Sequence, residues 1–225
     1  MTFQVAMRIG AMIADQPPRL PDGRSACTVS RVFRERNNWV ALGRLLTTVV
    51  APIAFLLAIW RRRAPESVRL RTPTGTVTLA MRNFESIRTT FSIFLRRDYE
   101  TTSDRSFAFV DVGANVGVAA VYFLSRHRDN TVICYEPDWA NLPYLEQNLA
   151  PFGERARIVP RAVGATAGEL TLYRSEDGKY SSLLPFGRAT LPAPVDVEAF
   201  ADVLAEAERQ ASAVAREVVV KIDVE

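Results

Sequence analysis

The residues with the strongest claim to chemistry fall into three stretches. Asp111, Gly113, Asn115 and Gly117 lie within seven positions of one another, Glu136 follows 25 residues after Asp111, and Asp223 and Glu225 close the chain. Gly113 and Gly117 directly follow the apolar run Phe107 to Val112. Glycine is required where a backbone turns sharply or where a ligand approaches without a Cβ in the way. A helix opening at such a turn presents free N–H groups to polar or anionic atoms. Glu136 ends a second apolar run, Thr131 to Tyr135, and an acid at that place can accept hydrogen bonds from both ribose hydroxyls of a nucleoside cofactor. Asp223 and Glu225 end a third run, where an acid can orient an acceptor or act as a general base, the alternative being a solvated chain end.

Three nucleotide signatures can be compared with this pattern. The dinucleotide fingerprint fails, because its second and third glycine positions hold Asn115 and Val118. A phosphate-binding loop needs Gly-Lys-Ser/Thr, which is missing. Asp111 would repel a pyrophosphate but suits an ammonium group, such as the one on the methionine part of S-adenosylmethionine. Charge complementarity therefore prefers that cofactor over NAD.

Other chemistries are excluded by composition. The 225 residues contain one histidine, His127, and two distant cysteines, Cys27 and Cys134. That removes most His-based triads and any cysteine zinc site, and it fits a reducing, cytoplasmic setting. No metal is expected. His127 is placed to cap carbonyls at a helix end, and Cys134 to lie inert in a buried strand.

These residues require a frame. From Ser106 onward, apolar runs of strand length at 107–112, 131–135, 157–160 and 217–223 alternate with helical spacing at 118–126, 138–149 and 197–213. Asp138 is placed to cap the second helix, and 170–173 and 182–184 read as further extended pieces. The alternation predicts an α/β, Rossmann-like parallel sheet with helices on both faces. Upstream, 68–71 and 77–81 alternate around a Pro-Thr-Gly turn and read as a strand pair leading into a helix at 91–97.

The N-terminal part differs in charge. Residues 1–100 carry 16 Arg and 7 acids, whereas 101–225 carry 12 Lys+Arg and 18 acids. The arginines are scattered, and no nucleic-acid partner is expected. Residues 1–38, with Pro17, Pro18, Pro21 and Asp22-Gly23, are expected to be poorly ordered. Residues 39–63 run from Trp39 to the Arg61-Arg62-Arg63 triplet and read as one apolar helix. It is a candidate for a single membrane span with Arg44 snorkelling, for a helix lying on a membrane surface, or for a helix packed on the globular part. Residues 64–105 form a lead-in, and 106–225 the main domain.

Phe109-Val110-Asp111-Val112-Gly113-Ala114-Asn115-Val116-Gly117, Tyr135-Glu136-Pro137 and Val220-Lys221-Ile222-Asp223-Val224-Glu225, in this order and spacing, resemble the FkbM family of S-adenosylmethionine-dependent methyltransferases. The resemblance covers roughly residues 106–225. It implies a class I Rossmann-like fold and methyl transfer to a hydroxyl of a small molecule or saccharide. It also implies that Asp111, Gly113, Asn115 and Gly117 form the methionine-side loop and that Glu136 holds the ribose. In that family Lys-Ile-Asp-x-Glu is followed by Gly and further strands, whereas this chain stops at Glu225. The expectation is a truncated sheet in which 217–223 is an exposed edge and part of the substrate pocket is missing. A non-catalytic nucleoside-binding module is the alternative function. Neither the oligomeric state nor the identity of the acceptor is implied.

Overall fold

The structure is a computed structural model that describes residues 3–7, 36–99, 106–175, 181–182, 190–213 and 217–222. Its centre is a parallel sheet built from β1 (Phe3–Met7), β4 (Phe107–Val112), β5 (Thr131–Tyr135), β6 (Ala156–Val159) and β11 (Glu217–Ile222). The strand order is β1-β11-β4-β5-β6, and all four pairings are parallel. All six residues of β4 are buried. That is the burial expected of a central strand covered on both faces, and it is why this run shows no polar alternation. The fold class is α/β and Rossmann-like, as the alternation predicts.

Helices cover both faces. On one face α4 (Val118–Leu124), buried at all seven positions, packs with α5 (Leu142–Leu149) over Phe107, Phe109, Val132, Cys134 and Val219. Phe123 stacks on Phe109 with ring centroids 4.0 Å apart and meets Phe107 edge-on at 5.5 Å. On the other face α6 (Phe200–Ala213) lays Val203, Ala207 and Ala211 against Ala108, Val110, Ile133, Val218 and Val220. Alternate residues of one strand thus belong to opposite cores, as the pleat dictates.

The hairpin of β2 (Ser67–Thr72) and β3 (Gly75–Ala80) forms as the alternation predicts. It leads into α3 (Phe84–Thr90), capped by the Asn83 side chain, and a π-helical turn, Phe91–Arg96. A second sheet joins β7 (Ala162–Gly164), β8 (Gly168–Ser175), β9 (Ser181–Ser182) and β10 (Thr190–Ala199) in the order β7-β10-β8-β9.

Four expectations are corrected. Residues 39–63 do not form one helix. They form α1 (Arg36–Thr48) and α2 (Pro52–Arg61), because Pro52 lacks the N–H that a continuous helix needs and begins a new one instead. Between them Val49 is buried beside the hairpin, with the Val50 amide donating to the Arg69 carbonyl and Arg71 donating to the Val49 carbonyl. Among the described residues no helix is long and apolar enough to cross a membrane. Arg44 donates inward to the carbonyls of Leu95 and Arg96, where the π-turn leaves acceptors open, rather than snorkelling. β11 is not an edge strand, since β1 pairs with it from Phe3↔Val218 to Met7↔Ile222. Finally, 197–199 belongs to β10, and the helix starts at Phe200.

Candidate functional site

The site lies beyond the carboxyl ends of β4, β5 and β11. The strand order reverses between β4 and β11, where an open α/β sheet leaves a crevice for ligands. The turn after β4 is left-handed at three positions, Gly113 (φ 75°), Asn115 (φ 53°) and Gly117 (φ 80°). The Gly113 and Ala114 amides both donate to the Tyr135 carbonyl, at 2.9 and 3.0 Å, so the turn folds back across the end of β5. Gly117 has a second reason to be glycine. A Cβ there would lie 2.6 Å from Cδ1 of the buried Leu145.

Glu136 sits under that turn, buried. Its Oε2 accepts the Asn115 amide at 2.6 Å, and its Oε1 accepts the Asp138 amide at 2.9 Å and the Asn141 side-chain amide at 3.1 Å. A carboxylate has about four acceptor positions, so one, on Oε2, is left for a ligand hydroxyl. Burial pushes the Glu136 carboxyl above its ordinary pKa, and these three hydrogen bonds oppose the rise. The expectation that Glu136 accepts from two hydroxyls of a nucleoside thus meets a carboxylate with three of its acceptor positions already taken by the protein.

Asp111 is fully buried on the same face as Cys134 and carries a partner that sequence reasoning assigned no role. Lys221 lies opposite Asp111 in the β4–β11 register, and its Nζ donates to Asp111 Oδ1 at 2.8 Å and to the Gly113 carbonyl at 2.9 Å. This changes the reading of Asp111. Its Oδ1 is paired with an ammonium inside the protein. Through Lys221 it holds Gly113, and thereby the turn. The signal was in the sequence: Lys221, one of only two lysines, interrupts the apolar run Val218 to Ile222.

A wider set of polar groups fixes Glu136 and the turn. Arg82 donates to Asn141 Oδ1 at 2.6 Å, which orients the amide that Asn141 offers to Glu136. Asp138, buried, pairs with Arg174 Nε at 2.8 Å and lies 3.9 Å from Arg82. Asp138 does not cap the helix as expected. Its Oδ1 takes the Ala140 amide within the preceding turn, and Asn141 is the residue that precedes α5. The Arg174 guanidinium stacks on Trp139 at 4.3 Å, and Trp139 remains largely exposed. From α5, Asn148 accepts the Ala80 amide and donates to the carbonyls of Ala80 and Val116, which ties the hairpin to the turn.

The structure therefore brings Asp111, Gly113, Asn115, Gly117 and Glu136 into one hydrogen-bonded unit. Asp223 and Glu225 lie outside the described residues. His127 does not cap α4. Arg155 donates to the carbonyls of Leu124, His127 and Asn130, and Asn130 donates to that of Phe123. Cys134 is buried as expected, and burial first of all pushes its thiol well above the ordinary value, with the charge of Asp111 adding to the rise.

No protein-family model matches the sequence, and no curated protein matches it. Among solved structures, the crystal structure of a Pyrococcus horikoshii protein, PH0793, described provisionally as a transferase, overlaps 59% of this chain and 71% of its own, at 8% identity and a TM-score of 0.30. A likeness that distant carries no argument about activity.

Proposed function

We propose that the chain is an S-adenosylmethionine-dependent methyltransferase acting on a hydroxyl of a small molecule or saccharide. The observation that carries the reading is the single unit formed by the left-handed turn Gly113 to Gly117 and the buried Glu136 at the strand-order reversal. Bound there, the cofactor supplies an electrophilic methyl carbon on a cationic sulfur. Glu136, held from three sides, keeps one acceptor position for a ribose hydroxyl. Asp111 and Lys221 hold the Gly113 carbonyl in place. The resemblance of the motifs to the FkbM family points to the same cofactor. An acceptor hydroxyl gives up its proton as its oxygen attacks in line, and Asp223 and Glu225, next in sequence after β11, are the groups assigned to receive it.

Calorimetric titration of the purified chain with S-adenosylhomocysteine and, separately, with NAD tests the reading. Binding of the first alone is expected, weakened about tenfold or more in Glu136→Ala, the loss of one hydrogen bond to a charged group. Circular dichroism establishes that the variant is folded. A folded chain that does not bind S-adenosylhomocysteine overturns the proposal, and so does preferred binding of NAD. Binding without methyl transfer to any of a panel of hydroxyl acceptors assigns the chain instead to the nucleoside-binding modules. If transfer occurs, Asp223→Asn and Glu225→Gln distinguish the proton acceptor by a loss of kcat with unchanged cofactor affinity.

A further inference from the structure

Helix α2 presents two unlike faces. Phe55 and Ala58 are buried in the core, while Ile53, Leu56, Leu57 and Trp60 are exposed at 74%, 39%, 42% and 68%. Their spacing of three and four residues places these four on one side of the helix. Arg61, Arg62 and Arg63 follow at once, all exposed, and the helix contains no acid. Arg62 adopts a left-handed conformation and its amide returns to the Ile59 carbonyl, so the helix stops at the triplet. Large apolar side chains, a terminal tryptophan and a basic cluster thus share one short exposed element.

We infer that this face of α2 docks the protein on an anionic lipid surface, lying in the interface rather than crossing it. The break at Pro52 leaves a helix of ten residues, about 15 Å long, half the ~30 Å of a hydrocarbon core. Lying flat, the same helix buries its apolar side among acyl chains and sets Trp60 and the arginines at headgroup level. Charge selects this occupant over a second copy of the chain. A symmetric pair joined through this face would set no acid of the facing helix against either arginine triplet, because the helix contains none. One face 15 Å long also falls far short of the ~800 Å² per partner that a stable dimer buries. An anionic surface instead attracts each arginine, by a factor of about five per residue. The inference does not depend on the activity proposed for the sheet.

Co-sedimentation of the full chain with vesicles decides the matter. Vesicles of phosphatidylcholine mixed with phosphatidylserine are expected to retain the protein, and those of phosphatidylcholine alone to retain far less. Leu57→Ser with Trp60→Ser should abolish retention. Arg61→Gln with Arg63→Gln should lower the partition coefficient about thirtyfold, and added salt should mimic that loss. All four residues are exposed, and circular dichroism checks that both variants remain folded. Lack of retention on anionic vesicles overturns the inference, as does retention that survives Leu57→Ser with Trp60→Ser. A concentration-dependent dimer in sedimentation velocity that the same variant abolishes would give the face to a second copy and overturn it equally.

Discussion

Replacing Lys221 by Met removes the ammonium that sits 2.8 Å from the buried Asp111 carboxylate while keeping a side chain of similar length. At an effective dielectric of about 20, charges that close attract by about 6 kcal/mol, but taking each ion out of water costs several kcal/mol. The intact pair therefore adds little net stability, whereas removing one partner costs about 3–5 kcal/mol, since a carboxylate remains buried. Proton uptake sets a ceiling. Protonating an aspartate of ordinary acidity costs about 4 kcal/mol at pH 7 and about 1.5 kcal/mol at pH 5. The loss in Lys221→Met should thus shrink by about 2–3 kcal/mol between pH 7 and pH 5. Adding Asp111→Asn should return about half of what Lys221→Met loses at pH 7. Urea denaturation followed by far-UV circular dichroism measures all three quantities. A Lys221→Met protein within about 1 kcal/mol of wild type at pH 7, or one whose deficit is the same at both pH values, would refute the reasoning.

Three further outcomes can be checked. Gly117→Ala should destabilise the fold by about 2–4 kcal/mol, from the left-handed backbone and from displacement of Leu145, and a denaturation midpoint equal to wild type would remove the steric account. Burial raises the folded-state pKa of Glu136, so its contribution to stability is full below the ordinary carboxylate range and is lost as pH rises through the raised value. The melting temperature of wild type relative to Glu136→Gln should therefore fall as pH rises, and a flat or opposite difference counts against the raised pKa. Burial, reinforced by the charge of Glu198 and by the hydrogen bond to it, pushes Tyr135 up to about 12. A phenolate absorbance titration should show a late step that Tyr135→Phe removes and Glu198→Gln brings to lower pH; a step unmoved by either belongs to another tyrosine.

Much of the frame was legible because it is local. A run such as Phe107 to Val112 states its own burial, and the glycines after it state a turn, since both follow from the chemistry of adjacent residues. The strand β10 was not legible. Pro192 and Pro194 each lack the N–H that a strand interior donates, yet two residues apart they omit N–H groups on one edge only, and β10 pairs with β8 from Thr190↔Ser175 to Val197↔Gly168. The break in 39–63 was half legible. Pro52 was visible, but its weight as a helix start depended on the hairpin that holds Val49 and Val50.

The sequence by itself determined which residues could serve a nucleoside site. Asp111, Gly113, Asn115, Gly117 and Glu136 stand at the ends of two strands in the order such a site needs. Only the tertiary structure decided what each does. Lys221 lies 110 positions from Asp111 and reaches it because parallel pairing sets the two opposite each other. Arg82, Asn141 and Asn148 take their roles in the same way, from elements that meet only when the hairpin packs on α5. Conformational preference is a property of neighbouring residues and can be read along the chain. The matching of a buried charge is a property of register, and register exists only once distant strands are paired.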